Sequence, residues 1–387
     1  MGYMESNKSG DPRKVAIFAA TSGHSGVETV IKNLVHGFCD LGYDVDLLTI
    51  RKHGPYISSP PANCHVIQFN TAHVYSSLPE LIRYLRKSRP VVLLTDKEKV
   101  NLTAIWARAL ARTDTRLAVR IGTTVSRDLE NRGWLERKTR RISLRYFHNL
   151  ADTVITPSEG AARDLYRFGV HPQRIRPIPS PIISNTMHRL ADENEADPCL
   201  MQKQNPVVLG VGELSKRKNF SYLLQGFAIL RRSMPCRLLI LGDGKQRESL
   251  RQEAREMNIE EDVMLSGFVE NPYKHMRLAD VFVLTSRYEG SPVVLAEALG
   301  LGLPVVSTDC PSGPREILQD GTYGELVPLD APHELADAMY RCLQNPPDPQ
   351  KQRRGAKPFS VEKSVQKYLE AMGLANSNDT PSKEADR

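Results

Sequence analysis

At 387 residues the chain exceeds the size at which a single hydrophobic core keeps growing, so two domains are expected. A hydrophobic content of 40%, a mean hydropathy of −0.38 and no apolar run near the length of a spanning helix place it among soluble globular proteins, and six cysteines without C-x-x-C spacing argue against structural zinc or a disulfide framework. Residues 1–190 carry 28 Lys and Arg against 16 Asp and Glu while the remainder is net acidic, so the first half is expected to meet an anion: nucleic acid, a phospholipid face or a pyrophosphate-linked acceptor.

Residues 1–13 are polar, lack an apolar signal core and are expected to be a flexible N-terminus of a cytoplasmic protein. Lys14–Ala20 reads as a buried strand, followed by the turn Thr21–Gly26 and a helix from about Val27 to Leu41. This is a first Rossmann turn: Gly23 and Gly26 permit close backbone approach, and Ser25 and the helix start offer groups to a phosphate, although a glycine loop alone is also an ordinary turn. Asp44 and Asp46 have the spacing of a metal-binding D-x-D, but at the start of the strand Val45–Ile50 they are read as a decoy. Strands at Val66–Phe69, Val91–Thr95, Leu117–Ile121 and Thr153–Thr156 alternate with helices near Leu78–Lys87, Val100–Ala111 and Glu159–Phe168, the last capped by Ser158, which predicts a parallel, doubly wound sheet.

Arg120–Ser126 follows a strand and is expected to face an interdomain crevice, with Arg120, Gly122 and Thr123 as candidate acceptor or phosphate contacts. Asn131–His148 is strongly basic with Trp134, Leu135, Ile142, Leu144 and Phe147 interspersed. One reading packs its apolar side on the protein's own sheet. Another docks residues 132–145 on an anionic membrane surface, within reach of a lipid-linked acceptor. Nucleic acid is disfavoured, since no reader motif accompanies the charge. From Ile175 the composition turns to proline, asparagine and acid, and a linker is placed over residues 183–205.

The second half opens with the strand Pro206–Gly212 and the cationic run Lys216, Arg217, Lys218, then strands at Cys236–Gly244 and Val263–Val269. The buried strand Asp280–Thr285 breaks at Tyr288–Pro292 before a helix, with Ser291 as its N-cap and Pro292 in its first turn. Free amides at that helix start, from Gly290 through Val293, suit a phosphate. Glu289 projects from the loop and Glu297 lies two turns down the helix on the same crevice, where ionised carboxylates accept sugar and ribose hydroxyl protons. The plainer alternative makes Glu289 a strand terminator and Glu297 a solvated helix residue.

The run Leu284–Ile317, containing Glu289-Gly290-Ser291-Pro292, Glu297-Ala298 and Thr308-Asp309-Cys310-Pro311-Ser312-Gly313-Pro314-Arg315-Glu316, resembles the donor-site half of the family 4 retaining glycosyltransferases (group 1, GT-B architecture), whose signature is E-G-x-P-x-x-x-x-E-A followed by T-D-x-P-S-G-P-R-E. The resemblance extends more weakly over most of the chain and implies two Rossmann-like α/β domains facing across a cleft. Residues 14–182 would form the acceptor domain, 206–358 the nucleotide-sugar domain, 359–373 a helix crossing back to the first domain, and 374–387 a disordered tail. Lys218 fits the lysine of G-R-L-x-x-x-K-N that clasps the donor diphosphate after Gly212. Glu213 stands where arginine is usual, so it is expected to turn aside with Lys216 or Arg217 compensating. By the same resemblance Gly242 and Gly244 floor the nucleotide pocket, Phe268 and Val269 flank the base, Glu289 and Lys218 are catalytic, and Ser25-Gly26-Val27-Glu28 replaces G-G-x-E. Relatives carry a histidine near residue 120 that this chain lacks.

The resemblance implies a metal-independent, retaining hexosyltransferase without a cofactor. It would use a UDP or GDP sugar and a saccharide or lipid-linked acceptor in surface polysaccharide or lipopolysaccharide synthesis. The protein would be cytoplasmic, and the membrane-docking reading of residues 132–145 would make it a peripheral protein on the inner face of the membrane. The rivals are a sugar-nucleotide epimerase or phosphorylase of the same plan, a nucleotide-sugar-binding partner without turnover, and a nicotinamide oxidoreductase, which needs a G-x-G-x-x-G spacing that the first turn lacks.

Overall fold

The computed structural model describes residues 13–22, 25–130, 133–193, 200 and 204–374 and forms two parallel sheets. The first contains β1 (Lys14–Phe18), β2 (Asp44–Ile50), β3 (Cys64–Phe69), β4 (Val92–Asp96), β5 (Arg116–Arg120), β6 (Thr153–Thr156) and β7 (Ile175–Pro177), in the order β3-β2-β1-β4-β5-β6-β7. Its strands read as nearly unbroken apolar runs because both faces are covered. Val15 and Ile17 of β1 point into one core and Ala16 and Phe18 into the other. The covering helices are α1 (Gly26–Asp40), α2 (Leu78–Ser88), α3 (Glu98–Ala111), α4 (Val125–Glu130), α5 (Trp134–Ile142) and α6 (Glu159–Arg167).

The second sheet has the order β10-β9-β8-β11-β12-β13, built from β8 (Val207–Val211), β9 (Arg237–Leu241), β10 (Val263–Gly267), β11 (Val281–Leu284), β12 (Val305–Thr308) and β13 (Glu325–Val327). Around it lie α7 (Asn185–Ala191), α8 (Phe220–Ser233), α9 (Arg247–Glu256), α10 (Tyr273–Leu278), α11 (Val293–Leu301), α12 (Pro314–Ile317), α13 (Pro332–Gln344) and α14 (Pro349–Ala356). In each sheet the strand order reverses once, between β1 and β4 and between β8 and β11. The loops leaving those strands therefore diverge and open a crevice. The site is assembled from the loops after β1, β8 and β11 together with those after β5, β6, β9 and β12.

Three expectations need correction here. Ile175–Pro177, read as the start of proline-rich composition, is the seventh strand, pairing with β6. The segment 183–205 is no free linker where it is described: α7 buries Met187 and Ala191 in the second domain's core, and Ile183 bridges to Ser360. Its amphipathic turn is short, so the polar residues around it masked the signal. The basic α5 does not pack its apolar side on the sheet. None of its residues is buried, with Trp134 74%, Leu135 60% and Ile142 44% exposed, and the anchors are Leu144 and Phe147 in the π-helical turn that follows.

A last helix, α15 (Val361–Met372), leaves the second domain and packs Val365, Tyr368, Leu369 and Met372 into the first domain's core beside Val15 and Ile17. Asp46, half of the D-x-D, is buried and accepts the Tyr84 hydroxyl at 2.6 Å. No helix among the described residues is long and apolar enough to cross a membrane. Gly23, Asn131, Arg132 and the tail from Ala375 lie outside the described residues.

Candidate active site

The turn between β11 and α11 carries a buried polar network around Glu289. Pro292, not Ser291, occupies the N-cap of α11, one residue later than the capping chemistry of serine suggested. The Ser291 hydroxyl is buried with no partner among the described residues. The first amides of α11 have no carbonyl a turn behind them and remain donors at the positive end of the helix. Apart from Glu297 that helix is apolar, and it is buried from Leu295 to Leu301, which fixes the direction in which its end points.

Glu289 is buried at the head of this turn. Its Oε1 accepts Lys218 Nζ at 2.7 Å and Ser286 Oγ at 2.7 Å, and its Oε2 accepts Arg217 Nη1 at 2.8 Å. Burial pushes the carboxyl up, but the Lys218 ammonium and the Arg217 guanidinium more than reverse this and hold it below the usual range. Glu297 is the opposite case. It is 4% exposed, the Tyr273 hydroxyl donates to it at 3.0 Å, and burial pushes it up to about 7. Neither acid is a solvated surface residue.

The loop after β8 supplies the cations. Gly212 passes under Lys218, Glu213 is exposed, and Arg217 reaches Glu289 from the same loop. Gly212 and the Gly242–Gly244 turn after β9 stack backbone on backbone: a Cβ at Gly242, whose φ is +141°, would lie 1.9 Å from the Gly212 carbonyl oxygen. Val269 is half-buried on the core beside this turn, and Phe268 is 54% exposed at its rim.

The first domain closes directly on the turn. Thr124 Oγ1 donates to the Glu289 carbonyl at 2.7 Å and Ser158 Oγ to the Gly290 carbonyl at 2.8 Å. A Cβ on Gly290 would meet the Gly122 carbonyl at 2.3 Å and Thr123 Cα at 2.9 Å, so only glycine allows this approach. Glu316 accepts the amides of Glu159 and Gly160, at 2.8 and 2.7 Å, and so caps α6 from the other domain. At the far side, a Cβ on Gly26 at the start of α1 would sit 3.0 Å from Val293, so two helix N-termini face each other across the crevice.

The structure therefore brings Gly26 to Val293 and Gly122 and Thr123 to Gly290, but it corrects Arg120. That guanidinium is buried beneath α15, paired with Asp96 at 2.6 Å, Ser180 Oγ at 2.8 Å and the Tyr368 hydroxyl at 3.1 Å, because a buried cation needs every donor satisfied. It braces the crossing helix. Thr124 was named by sequence with Gly122 and Thr123 as a crevice hydroxyl, though not for this partner, whereas Ser158, Glu316 and Tyr273 were not picked out for these contacts. Ser158 was visible only as a cap, and Glu316 only as the last residue of the P-S-G-P-R-E run. Four buried polar atoms around the crevice, Ser25 Oγ, Ser215 Oγ, Asn219 Nδ2 and Ser291 Oγ, have no partner among the described residues, which suits a cleft built for a polar ligand.

Two family profiles match this architecture: a glycosyl transferase 4-like domain over residues 25–181 and glycosyl transferases group 1 over residues 205–345. The chain belongs to the family 4, group 1 glycosyltransferases. Among curated relatives, this glycosyltransferase is 28% identical over 343 residues to the N-acetylgalactosamine-N,N'-diacetylbacillosaminyl-diphospho-undecaprenol 4-alpha-N-acetylgalactosaminyltransferase of Campylobacter jejuni, covering 86% of this chain and 91% of that one. It is also 28% identical to an amylovoran biosynthesis glycosyltransferase of Erwinia amylovora, over 78% and 82% of the two chains. The GT-B fold is shared with a lipopolysaccharide outer core galactosyltransferase (TM-score 0.70, 21% identity, 93% of this chain and 99% of that one). It is shared as well with Anabaena HepE in complex with UDP (TM-score 0.71, 17% identity, 94% and 100%).

Proposed function

We propose that this glycosyltransferase moves a hexose-type sugar from a UDP or GDP sugar to a saccharide or lipid-linked acceptor in surface polysaccharide or lipopolysaccharide synthesis, with retention and without metal. The observation that carries the reading is the Glu289 carboxylate held between Lys218 and Arg217 at the N-terminus of α11. Charge develops on the departing diphosphate as the bond from the anomeric carbon to the β-phosphate oxygen breaks. Two cations and the free amides of α11 stabilise that charge where it forms. Glu289 accepts hydroxyl protons of the sugar and fixes its orientation, while Glu297, under Tyr273, faces the ribose. The acceptor oxygen bonds to the anomeric carbon and its proton leaves with the diphosphate. The seam made by Thr124, Ser158 and Glu316 excludes water that would hydrolyse the donor. Retention is taken from the family likeness.

The exposed Trp134, Leu135 and Ile142 beside the cations of α5 support a peripheral position on the inner face of an anionic membrane. The Campylobacter relative is named for a diphospho-undecaprenol acceptor, and HepE has been solved with UDP-glucose, which support a lipid-linked acceptor and a uridine donor. Purified protein incubated with radiolabelled UDP and GDP sugars tests the reading. Transfer to a lipid-linked saccharide, or slow donor hydrolysis, is expected. Tight donor binding with neither would make the chain a non-catalytic partner.

A further inference from the structure

Beside the interdomain seam, the first domain holds a cavity of about 570 Å³ between the end of α5, the π-helical turn Ser143–Phe147 and the C-terminal half of α6. Arg141, Arg145 and Arg167 all line it. None of the three makes an ion pair among the described residues. Their neighbours are paired: Arg140 is held by Glu98 at 2.8 Å and by Asp128, and Arg108 by Asp152 at 2.5 Å. The one acid in the wall, Asp164, is buried and accepts the Ser126 amide at 2.9 Å, so it tethers α4 to α6. Aromatic faces position two of the cations, with Arg141 stacked 5.9 Å from the Phe168 centroid and Arg145 5.8 Å from that of Tyr146.

Three guanidinium groups against the single carboxylate of Asp164 leave the recess with an excess of positive charge, which an anion with several oxygens offsets. Planar forks of donors match phosphate oxygens in pairs, which a scatter of surface lysines does not. The rim adds apolar surface: Ile142 and Tyr146 are 44% and 61% exposed, and Trp134 and Leu135 continue it along α5. The place is fixed relative to the chemistry. Ser126 in the wall is two residues from Thr124, which holds Glu289, and Arg167 lies about 13 Å along α6 from Ser158, which holds Gly290.

We propose that this recess binds the diphosphate of a lipid-linked saccharide acceptor, with Arg141, Arg145 and Arg167 as its ligands. The lipid leaves over Ile142, Tyr146 and α5, and a short saccharide reaches from the recess to the seam. The inference rests on the transferase reading above and deepens it: the recess selects acceptors whose reactive hydroxyl lies a few sugar units from a diphosphate. Bilayer phosphodiesters share the chemistry but carry it on a flat surface, whereas these arginines line a concave recess.

The test uses the full chain and the variant R141Q/R145Q/R167Q, with farnesyl diphosphate as a soluble probe. Binding is measured by calorimetry with UDP in excess so that the donor cleft is filled. The wild type is expected to bind the probe without vesicles, inorganic pyrophosphate to compete, and the variant to lose at least tenfold in affinity while its UDP-induced thermal shift and its circular dichroism stay unchanged. Equal affinity in the variant would overturn the proposal. So would an association seen only with phosphatidylglycerol vesicles and not with the soluble probe. Absence of any UDP shift in the wild type would overturn the donor reading itself, a result distinguishable from either.

Discussion

Glu289 and Glu297 lie eight residues apart, both buried, and their carboxyls are displaced in opposite directions. The difference follows from their partners. Glu289 has two cations and a hydroxyl, so it stays ionised and serves as a fixed acceptor of sugar hydroxyls. Replacing it with glutamine keeps the shape but removes the charge, and Glu289→Gln is expected to lower kcat by at least a hundredfold while the Kd for the nucleotide stays within a few-fold. Steady-state rates with calorimetric UDP binding check this, and unchanged turnover would remove Glu289 from the site. Glu297 is raised from 4.5 to about 7 by burial, so its folded form favours the proton. The stability that this proton contributes is complete below pH 4.5 and is lost as pH rises through 7, an effect of roughly 3 kcal/mol. Glu297→Gln should therefore match the wild type in melting temperature near pH 4.5 and exceed it at pH 8. Parallel melting curves across the two pH values would contradict the burial account. Both acids were legible as site candidates because they fall in a long motif. Their opposite titration was not, since it depends on Lys218 and Arg217, which only the fold brings to Glu289, and on the burial of Glu297.

At the scale of the element, a helix N-terminus recurs as the working part: α11 and α1 face each other across the cleft, and α6 is capped from the opposite domain by Glu316. The strand, turn and helix around Glu289 could be read from residue types, because β-branched runs, glycine and proline act locally. Its cap shifted by one residue, a difference that local chemistry does not resolve. The behaviour of α5 was not readable. Its apolar residues have helical spacing, and only the π-helical turn after it determines that Leu144 and Phe147 face the core while Trp134 and Leu135 do not. Glu316 gives the sharpest prediction at this scale. Charge-assisted bonds to two amides contribute roughly 1.5 to 3 kcal/mol to the closed arrangement. Glu316→Ala is then expected to lower kcat by about ten- to hundredfold, the rate equivalent of that energy, with little change in UDP affinity. Small-angle scattering with UDP present should show a more open particle for the variant. An unchanged kcat would mean that the seam is not used in turnover.

For the whole molecule, two sheets that could each fold around their own cores are made one unit by α15. That helix buries Val365, Tyr368 and Leu369 in the first domain although it begins beside the second. Its deepest polar contact joins the Tyr368 hydroxyl to the Arg120 guanidinium, itself paired with Asp96 and bonded to Ser180 at the crossover. Arg120 was read as a crevice residue because it ends a strand at the right edge. Which way its side chain turns is set by a helix almost 250 residues later, a relation no local pattern carries. Tyr368→Phe removes one acceptor from a buried cation and is expected to cost about 1 to 3 kcal/mol in denaturant unfolding, without loss of UDP binding. A null effect on stability would show that α15 is held by its apolar face alone. Two domains, their parallel sheets and the crossing helix were expected from length and family resemblance, whereas the seam between them comes from hydroxyl, amide and carboxylate partners far apart in sequence.

The central claim is that the donor's diphosphate is gripped where Lys218, Arg217 and the N-terminus of α11 meet Glu289. A crystal structure with a bound UDP sugar measures it most directly. The account predicts the diphosphate on Lys218, Arg217 and the first amides of α11, the sugar on Glu289 and the ribose at Glu297. A nucleotide bound elsewhere, with the Glu289–Lys218 pair untouched, would contradict it.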